Sequence, residues 1–120
     1  MNSDVEEFAK NLIEAVRDRA VDSFDGILVR NMNSETTRKY VEEFGENMES
    51  SIRNVIPDIV DTTIFYLLKA IDNQDIALFY GKQNAELVDL EADGMGELAG
   101  NYVADDADGW RQRFSRSRVL

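Results

Sequence analysis

Residues Pro57–Asp72, PDIVDTTIFYLLKAID, decide how the rest of the chain is read. Ile59, Val60, Ile64, Phe65, Leu67, Leu68 and Ile71 place apolar side chains on more than one side of a helix, the pattern of a central, buried element. Pro57 is the only proline. It is best tolerated in a first helical turn, where its missing N–H would have no partner, and Asp58 and Asp61 suit the positive end of a helix. The spacing therefore predicts a helix starting near Pro57. A proline also kinks a helix without ending it, so Ser51–Ile56 reads either as a separate turn or as the end of a preceding helix.

Toward the N-terminus, Ser3 and Glu6 have the spacing of a capping box. Val5, Phe8, Ala9, Leu12, Ile13, Val16, Ala20 and Phe24 then recur at three- and four-residue steps. Glu7, Glu14, Arg17 and Asp18 fall on the opposite side, an amphipathic helix of about six turns that Gly26 is expected to end. Ile27–Val29 is too short a run to assign. Asn33 or Ser34 is placed to cap a second helix through Tyr40, Val41, Phe44 and Met48.

Beyond Asp72 the period changes. Asp72–Asp75 reads as a turn, Ile76–Tyr80 as a strand, Gly81–Asn84 as a reversal and Ala85–Leu90 as a second strand, together a hairpin. The segment from Asp93 to Gly109 holds four glycines and reads as irregular backbone with one helical turn at Glu97–Tyr102. Trp110, Gln112 and Phe114 alternate with Arg111, Arg113 and Ser115, the period of a third strand. The expected architecture is one α+β domain spanning residues 1–120, three helices packed on a small, mostly antiparallel sheet of about three strands. A chain of 120 residues buries roughly two thirds of its unfolded surface and holds a core without staples.

Composition narrows the chemistry. The chain has no histidine and no cysteine, so thiolate metal sites, disulfides, thiol nucleophiles and the commonest general base are excluded together. No glycine-rich phosphate loop is present, since Gly94-Met95-Gly96 lacks the remainder of either fingerprint. Asp89-Leu90-Glu91-Ala92-Asp93-Gly94 opens like a calcium loop but has Gly100 where a bidentate glutamate is required, so it reads as a solvated acidic turn. No cofactor, metal site or catalytic residue is expected. The longest apolar run, Ile64–Leu68, is too short for a bilayer, and Met1–Lys10 lacks the features of a targeting peptide, which points to a cytoplasmic protein.

The formal net charge is -11, which repels nucleic-acid phosphate and anionic membranes and favours a basic protein partner. The charge is unevenly distributed. Glu86, Asp89, Glu91, Asp93, Glu97, Asp105, Asp106 and Asp108 form a stretch without a single base, and Arg111, Arg113, Arg116 and Arg118 follow it directly. Either those arginines fold back onto the acids, or the acids form a surface that steers a cationic partner. Glu42, Glu43, Glu46 and Glu49 would extend such a surface. Trp110 reads as a core anchor or, with the eight acids, as part of a partner-binding site. Homodimerisation through an apolar helix face, with acidity serving solubility alone, is the alternative.

The run from Phe65-Tyr66-Leu67-Leu68 through Asp93-Gly94-Met95-Gly96-Glu97-Leu98 to Asp108-Gly109-Trp110-Arg111-Gln112-Arg113-Phe114-Ser115 resembles small acidic bacterial proteins of the immunity type. The resemblance covers about the last fifty residues. It implies a cytoplasmic antidote that binds a co-produced toxin, often a basic nuclease, and assigns no individual contact residue.

Overall fold

The computed structural model describes residues 3–30, 38–39, 42–43, 48–81 and 86–117. Helix α1 (Ser3–Leu12) leads through a π-helical turn (Ile13–Arg17) into α2 (Asp18–Arg30), and α3 (Met48–Asp72) follows. Strands β1 (Phe79–Gly81) and β2 (Leu87–Asp89) precede three short helices, α4 (Leu90–Gly94), α5 (Leu98–Val103) and α6 (Trp110–Phe114). The fold is helix-rich with a two-stranded antiparallel sheet. Among the described residues, no helix is long and apolar enough to cross a membrane.

The first helical stretch departs from its expected face for a local reason. Val5, Phe8, Ala9, Leu12 and Ile13 are buried as their spacing predicts. At the π turn the Asp18 N–H donates to the Ile13 carbonyl, five residues back instead of four. The extra residue rotates everything downstream by about one position. Val16 is consequently half exposed and Ala20 exposed, while Arg17, Asp18 and Val21 turn inward. Arg17 and Asp18, expected on the solvent side, are buried polar groups. Gly26 does not end the helix, which continues through Ile27–Val29 to Arg30.

Pro57 does not begin a helix either. It lies inside α3, nine residues after Met48. The proline removes one N–H donor from the ladder, and the surrounding packing carries the helix across the gap. Ser51–Ile56 therefore belongs to α3. This helix packs on α2, the π turn, α4 and α5, burying Ile56, Ile64, Leu68 and Ile71. It is central but not buried all round, since Ile59 and Tyr66 are largely exposed. The expected second helix lies mostly outside the described residues, of which Arg38, Lys39, Glu42 and Glu43 are helical and exposed.

The predicted turn after Asp72 is present and ends α3 in a paired-bond C-cap. Asp75 N–H donates to the Ala70 carbonyl and Gln74 N–H to that of Ile71, with Gln74 left-handed at φ 65°. The hairpin forms with shorter strands than expected, Phe79 opposite Asp89, Tyr80 opposite Val88 and Gly81 opposite Leu87. Ile76–Leu78 lies before β1, Gly81 belongs to the strand instead of the reversal, Leu90 begins α4, and residues 82–85 lie outside the described residues. Its inner face meets α1, where the Tyr80 ring lies edge-on to Phe8 at 5.7 Å.

The third strand is absent, because Trp110–Phe114 is a helix. Residues four apart share a face under either period, so Trp110 and Phe114 fit strand and helix alike. Trp110 is only 1% exposed and joins the main core with Tyr102, Leu98, Ile71 and Leu68. Gly109 makes this approach possible, for a Cβ there would collide with the Ala104 carbonyl oxygen and lie 2.5 Å from Gln112 Oε1. Gly109→Ala is expected to destabilise the fold by about 1–3 kcal/mol through overpacking, checked by urea unfolding.

Candidate functional site

The eight acids between Glu86 and Asp108 fall into two groups by element. Glu86 is exposed just before β2, Asp89 ends that strand half-buried, and Glu91 and Asp93 are half-buried on α4. Glu97 is exposed at the start of α5, and Asp105, Asp106 and Asp108 are exposed in the loop before α6.

Local hydrogen bonds fix part of this set. The Asp89 carboxylate accepts from the Glu91 and Ala92 N–H groups at 3.1 and 3.4 Å, capping α4. The would-be calcium loop is thus a capped helix, and no group of three or more acids among the described residues is arranged to hold a metal ion. Glu91 accepts from Gln74 Nε2 at 3.0 Å, and Asp106 accepts from the Asp108 N–H at 3.0 Å.

The tail arginines answer the question the sequence leaves open, because they pair with the other half of the molecule. Arg111 Nη1 donates to Asp61 Oδ2 at 2.9 Å, Arg113 Nη1 donates to Glu6 at 2.9 Å, and Arg116 lies 3.6 Å from Glu14. Arg118 lies outside the described residues. Among those described, no cation stands within ion-pair distance of any of the eight acids. The hydrogen bond to Glu6 raises the Arg113 guanidinium's pKa, with the charge of Asp108 adding a smaller contribution in the same direction.

A buried polar cluster that sequence reasoning missed explains this routing. Asp61, in the middle of α3, accepts from Arg17 Nε at 2.8 Å, from Tyr102 Oη at 2.6 Å and from Arg111 Nη1 at 2.9 Å. Arg17 and Tyr102 are fully buried, and Asp61 and Arg111 are less than a tenth exposed. Arg111 also donates to the Tyr102 and Val103 carbonyls at 2.9 and 3.0 Å, satisfying acceptors at the end of α5 that the helix leaves free. Its guanidinium stacks 5.6 Å from the Tyr102 ring centroid.

Burial opposes the Asp61 charge, but hydrogen bonds from Arg17, Tyr102 and Arg111 outweigh it and hold the carboxyl below its ordinary range. Burial, reinforced by the neighbouring carboxylate, pushes the Tyr102 phenol far above its usual value. The phenol therefore stays protonated and donates. No buried side-chain polar atom among the described residues lacks a partner.

The tail is fastened to the same place. Ser115 Oγ donates to Asp18 Oδ1 at 2.8 Å, the Arg116 N–H donates to Asp18 Oδ2 at 2.6 Å, and Ser117 Oγ donates to Asp22 at 2.7 Å. Chain reversal after Gly109 thus carries the arginines toward the π turn and away from the hairpin. Asp61, the partner of Arg111, is no helix-start acid, and the sequence signal that marks it is an acid spaced three and seven residues before the core positions Ile64 and Leu68.

Of the partner-binding candidates, Trp110 is placed in the core and does not share the acidic surface. Tyr66 is exposed, while Tyr80 donates to Glu7 at 3.0 Å at the edge of the core. Glu42 and Glu43 are exposed, and Glu46 and Lys82 lie outside the described residues. Compared with protein-family models, curated proteins and solved structures, the chain has no match.

Proposed function

We propose that this chain is a non-catalytic, acidic protein-binding module, in its most concrete form an immunity-type antidote that masks the cationic domain of a co-produced toxin in the cytoplasm. One observation carries the reading. The described tail arginines pair with Asp61, Glu6 and Glu14, so the acids from Glu86 to Asp106 keep their field for a partner, while Asp108 also acts on Arg113. Uncancelled like charges on an already acidic protein raise the encounter rate with a basic surface and repel nucleic acid.

The test is the association rate with the basic protein encoded beside this one. It is expected to fall by roughly tenfold or more between about 20 and 500 mM salt, as the Debye length shrinks below the spacing of the surface charges. A rate indifferent to salt would count against steering by this surface.

A second reading, homodimerisation through an apolar helix face, is favoured by the groove between α2 and α3. It measures about 350 Å³ and is lined by Ala20, Phe24, Ile52, Val55, Ile56 and Ile59, with Val55 48% and Ile59 60% exposed. Sedimentation equilibrium separates the two readings, since a stable dimer supports this one and a monomer at every concentration removes it.

A further inference from the structure

We infer that the outer face of the β1–β2 hairpin is the contact surface for the cationic partner, with Phe79 and Leu87 as its apolar anchors and the neighbouring acids as its rim. This deepens the proposed binding function and rests on it.

The pairing register decides which side chains face outward. Residues opposite each other in an antiparallel pair share a face, and successive residues alternate. Val88 is 3% exposed, and its partner Tyr80 packs on Phe8, so that pair points inward. The flanking pairs, Phe79 with Asp89 and Gly81 with Leu87, therefore point outward. Phe79 is 53% and Leu87 67% exposed, and Ile76 and Leu78, leading into the hairpin, are 46% and 36% exposed. Single exposed apolar residues are ordinary on any surface, but Phe79 and Leu87 stand diagonally across one face of the paired strands, and two large exposed ones side by side there mark a contact site.

The chemistry of the occupant follows from the rim. Asp75 and Glu86 adjoin Ile76 and Leu87 in the sequence, Asp89 stands opposite Phe79, and Glu91 lies in the first turn of α4. Between Lys69 and Arg111 the sequence contains one base, Lys82. A second copy of this chain would set these acids against their like, whereas a partner with an apolar knob ringed by lysine or arginine is complementary in both respects. The other acidic group is a poorer candidate. Asp105–Asp108 brackets only alanine, and Asp108 already lies in the field of Arg113. The anchoring role that sequence reasoning offered to Trp110 thus passes to exposed hairpin residues.

Two synthetic peptides of equal length and charge, one alternating lysine with leucine and one alternating lysine with serine, test this by titration into the isotope-labelled chain at low salt. The lysine–leucine peptide is expected to bind roughly tenfold more tightly. Its largest amide shifts should fall at Leu78–Tyr80 and Glu86–Asp89. The double variant Phe79→Ser, Leu87→Ser, altered only at exposed positions, should lower that affinity to the level of the lysine–serine peptide while keeping its circular dichroism. Undiminished affinity in the double variant would overturn the inference. So would shifts centred on Ile52–Val60, or a dimer that this variant dissolves, which would make a second copy the occupant. If both peptides bind equally and in a salt-sensitive way, the acidic surface stands and the hairpin anchor fails. If neither binds at low salt, the proposed binding function itself fails.

Discussion

Replacing Asp61 with alanine is expected to cost about 3–5 kcal/mol, because it removes the carboxylate shared by two buried guanidinium groups, leaving Arg17 with Asp18 as its acid partner at 2.9 Å and Arg111 with the Tyr102 and Val103 carbonyls. Arg17 is fully buried and Arg111 nearly so, and each donates to a different Asp61 oxygen through its shortest bond. Small domains have about 5–15 kcal/mol in total, so a loss of this size leaves the variant partly unfolded at moderate urea. Tyr102→Phe provides a graded comparison. It removes one donor and leaves both arginines paired, for an expected loss of about 1 kcal/mol. Comparable losses from the two substitutions would show that Asp61 is not the hub of the cluster.

The same carboxylate predicts an acid limb of the stability profile. Its folded-state pKa is lowered from the ordinary 3.8, so the unfolded chain takes up the proton first as the pH falls. The stabilisation is complete above that ordinary value and is lost as the pH drops through the folded value. Asp61→Asn should flatten this part of the profile, as measured by the urea midpoint against pH.

Trp110→Ala is expected to be of similar severity, about 3–5 kcal/mol, since it empties a site at the junction of α3, α5 and α6. The substitution also separates two roles. A core residue loses stability while the folded fraction keeps its affinity for a basic partner, whereas an interface anchor loses affinity with stability intact. Urea unfolding together with binding corrected for the folded fraction decides between them, and burial at 1% exposure selects the first. As the only tryptophan, Trp110 should also resist acrylamide quenching until the protein unfolds.

What was legible in the sequence was whatever depended on local periodicity over several turns or on strong turn chemistry. The face of α1, the turn after Asp72, the pairing of two strands into a hairpin and the short helix α5 follow from spacing alone, whereas the strand bounds do not, since pairing is confined to Phe79–Gly81 and Leu87–Asp89. The misreadings each have a physical cause. A π turn shifts the register without any sequence mark, so Val16 and Arg17 exchanged their expected environments. Pro57 sits where packing overrides its preference for a first turn. Trp110 and Phe114 are four apart, a spacing that cannot tell helix from strand over five residues.

The site divides the same way. The acidic segment was visible because charge is written directly in the sequence. The destination of the arginines was not, because Arg111 meets Asp61 across 50 residues and Arg113 meets Glu6 across 107. Nothing local announces such pairs. The apolar outer face of the hairpin was likewise hidden until the register showed which side Phe79 and Leu87 occupy.

The acids from Glu86 onward form ion pairs with none of the described arginines that follow them. Paramagnetic relaxation of backbone amides by a cationic and an anionic nitroxide of the same size tests this without any partner. The largest cation-to-anion ratio is expected at Glu86–Asp93 and a much smaller one at Arg113–Ser117, narrowing as salt is added. Equal ratios in the two segments would mean that the arginines occupy the acids in solution, and would contradict it.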